Sequence, residues 1–155
     1  MYAPDRGLSR GFSLVELVLV LTIAGVLATV AVPRLVDRSA FQTRGGAAEV
    51  RTALRYAQKL AMAKNREVCV ATAATGLTLM FTDPPGPACS QPVVRPDGDN
   101  TSPTYTVTLP AGIALTPPVT AFSFDGQGRP SVTPISLTVG GTITVTVARE
   151  TGYVQ

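Results

Sequence analysis

The sequence contains no histidine and no tryptophan, only two cysteines, and charged residues at 15% of its 155 positions. Without histidine there is no Ser-His-Asp or Cys-His catalytic set, no histidine-ligated zinc and no histidine pH switch. Two cysteines fall short of a four-thiolate metal site. No nucleophile–base pair can be assembled from what remains, so no catalytic residue, metal ligand or cofactor is assigned and the chain is read as a non-enzyme. Charge is sparse against the usual share of about a quarter, which leaves Thr, Ser and Gly to make the surface polar. The length suits one domain with a sizeable core.

What the chain has in excess is apolarity, at a mean hydropathy of +0.27. The excess is concentrated between Phe12 and Val32, FSLVELVLVLTIAGVLATVAV, 21 residues in which Glu16 is the only charge. As a helix this run is about 31 Å long, enough to cross a hydrocarbon core of about 30 Å. A secretory signal peptide fits poorly, because its apolar stretch is about 7–15 residues, although Ala28 to Ala31 imitate a small-residue cleavage site. An ordinary anchor leaves Glu16 without a reason, since a carboxylate inside a spanning helix is costly and points to a function and a partner.

A short basic leader, MYAPDRGLSRG, precedes the run and carries Arg6 and Arg10. The string RGFSLVEL, Arg10 to Leu17, resembles the processing signature of type IV prepilins and type II secretion pseudopilins. That resemblance covers the leader, the Gly11–Phe12 junction, Glu16, the apolar run and Pro33 at its end. It implies that a membrane-embedded prepilin peptidase cuts between Gly11 and Phe12 on the cytoplasmic side and methylates the new amino group of Phe12. It further implies that Glu16, one helical turn from that ammonium, neutralises the amine of a neighbouring subunit and sets the axial stagger of the filament. Gly25 and Pro33 bracket a stretch that similar pilins tend to unwind. Arginines flank both ends of the run, Arg6 and Arg10 against Arg34 and Arg38, so loop charge alone leaves orientation near a tie. The resemblance places the leader in the cytoplasm, the remainder in the periplasm, and the chain in the bacterial inner membrane before it joins a pilus fibre.

Past Pro33 the pattern stays helical. Ala47, Val50, Leu54, Ala57 and Ala61 recur at three- and four-residue spacing, which predicts helix from Phe12 to about Asn65. Pro33 predicts a kink and the Gly45-Gly46 pair a hinge. Residues 34–66 hold eight bases against Asp37 and Glu49, whereas residues 67–155 hold three bases against six acids. Arg51, Arg55 and Lys59 lie at four-residue spacing opposite Leu54 and Ala57. A row of this kind suits phosphate neutralisation, with Arg129 as a further contact, or a solvated face that meets acidic neighbours. No aromatic residues interleave with the row to stack on single strands.

From Glu67 onward the period becomes two. Strands are expected at Val68–Ala71, Leu77–Phe81, Tyr105–Leu109, Phe122–Phe124, Ile135–Val139 and Thr142–Ala148, with a short one at Tyr153–Val154. Gly140-Gly141 reads as a hairpin turn and Asp125-Gly126 as a second turn. Eleven of the 13 prolines fall between Pro84 and Pro134, which predicts a long loop from Thr82 to Pro103. The expected fold is α+β: a long N-terminal helix, transmembrane in its first half and amphipathic in its second, packed on an antiparallel β-rich domain. The chain divides into leader 1–11, membrane helix 12–33, basic helix 34–66 and periplasmic domain 67–155. In an oxidising periplasm Cys69 and Cys89 are expected to pair, closing a loop worth about 3 kcal/mol, the alternative being two unrelated thiols.

The segments LRYAQKLAMAKNREVCVA, FSFDGQGRPS and the Gly-Gly hairpin resemble the GspH/FimT-like minor pilins and pseudopilins. Within that group PRLVDRSAF, LRYAQKLA with VCVA, and ETGYV look most like the MshC-type minor pilins of the MSHA (mannose-sensitive haemagglutinin) pilus. The implied partners are the prepilin peptidase/N-methyltransferase, other major and minor pilins, an inner-membrane assembly platform and membrane lipid. Nucleic acid is the partner of DNA-binding members of the FimT branch, which carry a basic C-terminal motif. Here the tail reads TVARETGYVQ, with Arg149 beside Glu150 and Arg129 alone in its turn, which weakens that role. Three readings stand: a structural pilus subunit with a part in adhesion, a DNA-capturing minor pilin, and a type II secretion pseudopilin.

Overall fold

A computed structural model describes residues 12–36, 38–83, 88–96 and 104–155, with the side chains of 30–36 outside the description. The leader and Gly11 therefore lie outside the described residues. The chain divides into two compact units, with the boundary in sequence between Arg38 and Ser39. The first holds helix α1, Leu14–Val36. It continues through Gly25 and Pro33 without an end.

Helix α2, Arg38–Lys64, begins at this boundary and runs on into the second unit, which carries eight strands among the described residues. The expected hinge at Gly45 is absent: α2 is continuous through Gly45-Gly46. Packing explains it. A Cβ at Gly46 would sit 2.8 Å from Leu109 Cδ2, so this glycine is what lets the helix approach the strands, and that contact outweighs its poor helix propensity. The buried face of α2 is otherwise made of Ala47, Val50, Ala53, Leu54, Ala57 and Ala61, the periodic set of the sequence. Its end is a Schellman motif. Asn65 adopts φ 44°, Arg66 N–H donates to Ala61 O at 3.0 Å and Asn65 N–H to Met62 O at 3.3 Å.

Strands β1 (Val68–Ala73), β2 (Gly76–Thr82), β3 (Cys89–Pro92), β4 (Thr106–Thr108) and β6 (Ala121–Phe124) form one antiparallel sheet in the order β3-β2-β1-β6, with β4 pairing the other end of β2. Strands β5 (Leu115–Thr116), β7 (Ile135–Val139) and β8 (Ile143–Val147) form a second. Register aligns Val68 with Phe124 and Val70 with both Leu79 and Phe122, so that one face is apolar. In the second sheet Ile135 meets Val147 and Leu137 meets Val145. These faces and α2 share one contiguous core, each fully buried large side chain stabilising it by about 1.5–3 kcal/mol. The α+β class is thus as expected.

Two strands were not legible in the sequence. β3 lies inside the expected Thr82–Pro103 loop, and β5 lies between Ala114 and Pro117 with only two residues. The expected strand at Tyr153–Val154 is a single bridge from Val154 to Val147, extended by reciprocal bonds between Gln155 and Thr146. It covers the outer edge of β8, an edge that would otherwise offer unpaired backbone groups. The Gly140-Gly141 turn joins β7 to β8 with both glycines at positive φ, 59° and 69°.

Candidate functional site

Two surfaces carry the residues singled out by the sequence. The first is α1. Phe12 is 77% exposed, and Leu14, Val15, Leu17 and Leu21 are all more than half exposed, so within its own unit the apolar helix has an uncovered surface. Its hydroxyls are turned inward: Thr22 Oγ1 donates to Leu19 O at 2.8 Å and Thr29 Oγ1 to Val26 O at 2.7 Å. This arrangement removes the polar groups that an apolar medium would penalise. Glu16 lies in the first turn, where a carboxylate favours the helix dipole. Gly25 faces open space. Among the described residues no helix is long and apolar enough to cross a membrane. The described side chains of α1 run only from Leu14 to Thr29, about 24 Å of helix, and the expected span continues to Val32.

The second surface is the basic row of α2, which the structure divides. Arg55 is spent on the fold: its Nε and Nη2 donate to Val154 O at 3.1 and 2.9 Å, and its guanidinium lies 6.0 Å from the Tyr153 ring centroid. Arg51 is half-buried, with an enclosed Nε that has no hydrogen-bond partner among the described residues. Lys59 is exposed and beside Arg55, Gln58 and Tyr153 it lines a shallow hollow of about 300 Å³. Arg129 is exposed on a turn whose Asp125 Oδ1 accepts from Gln127 N and Arg129 N at 2.9 and 2.8 Å. Gln58 Nε2 ties that turn to the tail, donating to Gly128 O at 3.3 Å and Thr151 O at 2.6 Å. The close approach needs glycine, because a Cβ on Gly152 would stand 1.9 Å from Gly128 O. The structure therefore gathers Arg55, Lys59 and the Arg129 turn on one side of the molecule, with Arg55 already engaged.

Cys69 in β1 and Cys89 in β3 form a disulfide with a Cα–Cα distance of 6.1 Å. Arg66 supports the same edge: it donates twice to Thr82 O and, at 2.9 Å, to Gln91 Oε1, and it stands 5.0 Å from the Phe81 ring centroid. One cluster was missed by the sequence reading. Arg95 pairs with Glu49 at 3.4 Å, donates to Thr106 O at 3.2 Å and lies 4.9 Å from the Tyr105 ring, which stacks on Tyr56 at 5.5 Å. Its signal was present: Glu49 is the sole acid of α2 and Arg95 the sole base between Glu67 and Gly128.

An exposed apolar helix joined in one chain to a helix-on-sheet domain defines a pilin-type architecture. Two crystal structures of the type IV minor pilin FimU of Pseudomonas aeruginosa (strain PAO1) share the fold. One matches with a TM-score of 0.52 at 14% identity over 72% of this chain and 90% of the crystallised FimU chain. The other matches with a TM-score of 0.53 at 14% identity over 76% and 89%. Comparison with curated proteins finds no match. The prokaryotic N-terminal methylation motif matches residues 6–32, and the family described as type II transport protein GspH matches residues 46–154. The chain belongs to the GspH family.

Proposed function

We propose that this chain is a membrane-anchored minor pilin of an MSHA-like type IV pilus, cut by prepilin peptidase between Gly11 and Phe12, methylated at Phe12, and added to the pilus or to the complex that primes it. The observation that supports the reading best is the union, in one chain, of the methylation motif over residues 6–32 with a GspH domain over 46–154. The uncovered apolar surface of α1 fits both stages, lipid before assembly and neighbouring helices after it. Glu16 then meets the Phe12 amine of a neighbour, both charges being offset in a low-dielectric bundle. Mass spectrometry of the mature amino terminus tests the processing: a methylated Phe12 is expected, and an intact leader in a host that has the peptidase refutes it. Glu16→Val should leave insertion intact and impair incorporation; normal incorporation in a pilus assay sinks the role given to Glu16.

A type II secretion pseudopilin is the second reading, favoured by the family's own description. Adjacent reading frames for secretion rather than pilus components would decide for it. DNA capture through Arg51, Arg55, Lys59 and Arg129 is weakened by the engagement of Arg55 with Val154 O. Retention on immobilised DNA that falls steeply with salt would restore it.

A further inference from the structure

The basic residues at the start of α2, Arg38 and Arg44, make no side-chain hydrogen bond or ion pair among the described residues, and their surroundings point to a partner. Arg38 and Arg44 are exposed, and Phe41 between them is 79% exposed, as much as any large apolar side chain among the described residues. Phe41 is nine residues beyond Val32, the end of the apolar run. Two loops lie beside this turn of the helix. Ser39, Ala40 and Thr43 share a hollow of about 410 Å³ with Gly112, Gly140 and Thr142. Residues 110–114, Pro-Ala-Gly-Ile-Ala, and 140–142, Gly-Gly-Thr, carry no charge, and Pro110, Ala111, Ala114 and Thr142 are exposed.

At the opposite end of α2 the acids Glu67, Asp83 and Asp125 stand among the bases Lys64, Arg66 and Arg129. Glu67 follows its last turn, Thr82 N donates to Glu67 O beside Asp83, and Gly126, next to Asp125, packs on Asn65. Among the described residues, the end of α2 nearest in sequence to the apolar run therefore carries bases and uncharged loop tips without an acid, while the other end mixes both signs. Exposed Arg with an exposed aromatic, rimmed by small uncharged loops, fits an anionic interface between water and hydrocarbon. The same chemistry gives a reason for arginines on the outer flank, where loop-charge bias does not call for them.

We infer that Arg38, Phe41 and Arg44, together with loops 110–114 and 140–142, form a seat for an anionic phospholipid surface. The domain rests there while the chain is still in the membrane. The inference depends on the membrane anchoring proposed above, and two readouts keep the two apart. The absence of tryptophan from the sequence supplies a clean probe. The full chain is reconstituted into vesicles of phosphatidylcholine or of phosphatidylcholine with phosphatidylglycerol, carrying a single Phe41→Trp, Ala111→Trp or Tyr153→Trp substitution. Flotation with the vesicles reads the anchor. Quenching by brominated lipid reads the seat.

The expected result is that the probes at 41 and 111 lose about half their emission in anionic vesicles and less in neutral ones, while the probe at 153 is unaffected. Arg38→Glu with Arg44→Glu should abolish the difference between the two lipids. A chain that does not float overturns the anchoring itself. A floating chain whose probe at 111 is unquenched, or whose probe at 153 is quenched equally, overturns the seat. So does a blue-shifted probe at 41 that brominated lipid does not quench, which would mean that a protein, a second copy included, covers this turn.

Discussion

Replacing Arg55 by leucine separates a structural arginine from a nucleic-acid contact. The side chain gives two charge-assisted hydrogen bonds to one carbonyl, Val154 O, on a residue that is itself fully buried. A hydrogen bond to a charged group contributes about 1.5–3 kcal/mol. Both bonds share one acceptor and Arg55 is exposed to competing water, so the pair is taken near the lower limit, and the leucine leaves the Val154 carbonyl without its partner. The expected loss is about 2 kcal/mol, which for a unit of this size lowers the melting temperature by roughly 6–10 °C. It is also local: the tail bonds Ala148 N–Tyr153 O and Gln155 N–Thr146 O should open about thirtyfold more often by amide exchange. Lys59→Leu is the control, since Lys59 is exposed and makes no hydrogen bond or ion pair among the described residues, and surface changes of that kind stay within about 0.5 kcal/mol. Equal effects of the two substitutions on melting and on exchange of the tail would refute the clasp.

Adjacent glycines of α2 should respond with opposite sign. Gly45→Ala meets open space and should stabilise by about 1 kcal/mol, while Gly46→Val is driven into Leu109 and should cost about 1–3 kcal/mol in denaturant unfolding; equal effects would deny the close approach. Removing both thiols, Cys69→Ser with Cys89→Ser, should lower stability by about 3 kcal/mol. Thiol titration of the unreduced natural chain should find none, and two titratable groups would contradict the pairing. Gly152→Ala should destabilise and release the tail as Arg55→Leu does, because a Cβ there meets Gly128 O at 1.9 Å and φ is 65°; an unchanged melting temperature would place the tail elsewhere.

The elements with a period were legible and those held by distant groups were not. Ile135–Val139 could be read to the residue because ISLTV alternates and a Gly-Gly turn follows it. β3 has neither mark: all four of its residues are exposed, and it keeps its place through the Cys69–Cys89 bond and the reach of Arg66 to Gln91. The hinge expected at Gly45 failed because helix propensity is a local quantity, about 1 kcal/mol per glycine, and the contact that overrides it comes from Leu109, far along the chain. The motif from Gly11 to Glu16 is legible because leader, junction and charge occupy fixed neighbouring positions. The partner of Arg55 was hidden for the opposite reason: it is 99 residues away and is a backbone carbonyl, which no side chain announces.

That distinction also sorts the basic helix. The side chains turned back onto the strands are arginines: Arg55 on Val154 O and Arg66 on Thr82 O each present two nitrogens to a single carbonyl, and Arg66 adds Gln91. A guanidinium can do this because its donors form a fixed fork on a weakly hydrated plane, whereas an ammonium keeps its water. Lys59 and Lys64 accordingly stay exposed. The surplus of six positive charges over residues 34–66 is therefore not one electrostatic surface. In its far half Arg55 holds the tail and Arg66 the edge strand, while Lys59 and Lys64 stay in solvent. Arg38 and Arg44 are left exposed at the end nearest in sequence to the apolar run, the end for which an anionic interface is proposed above. A partner that reads the whole row as a continuous phosphate track would have to break the bonds that close the domain, which is why the charge of α2 argues for assembly at a membrane more strongly than for capture of nucleic acid.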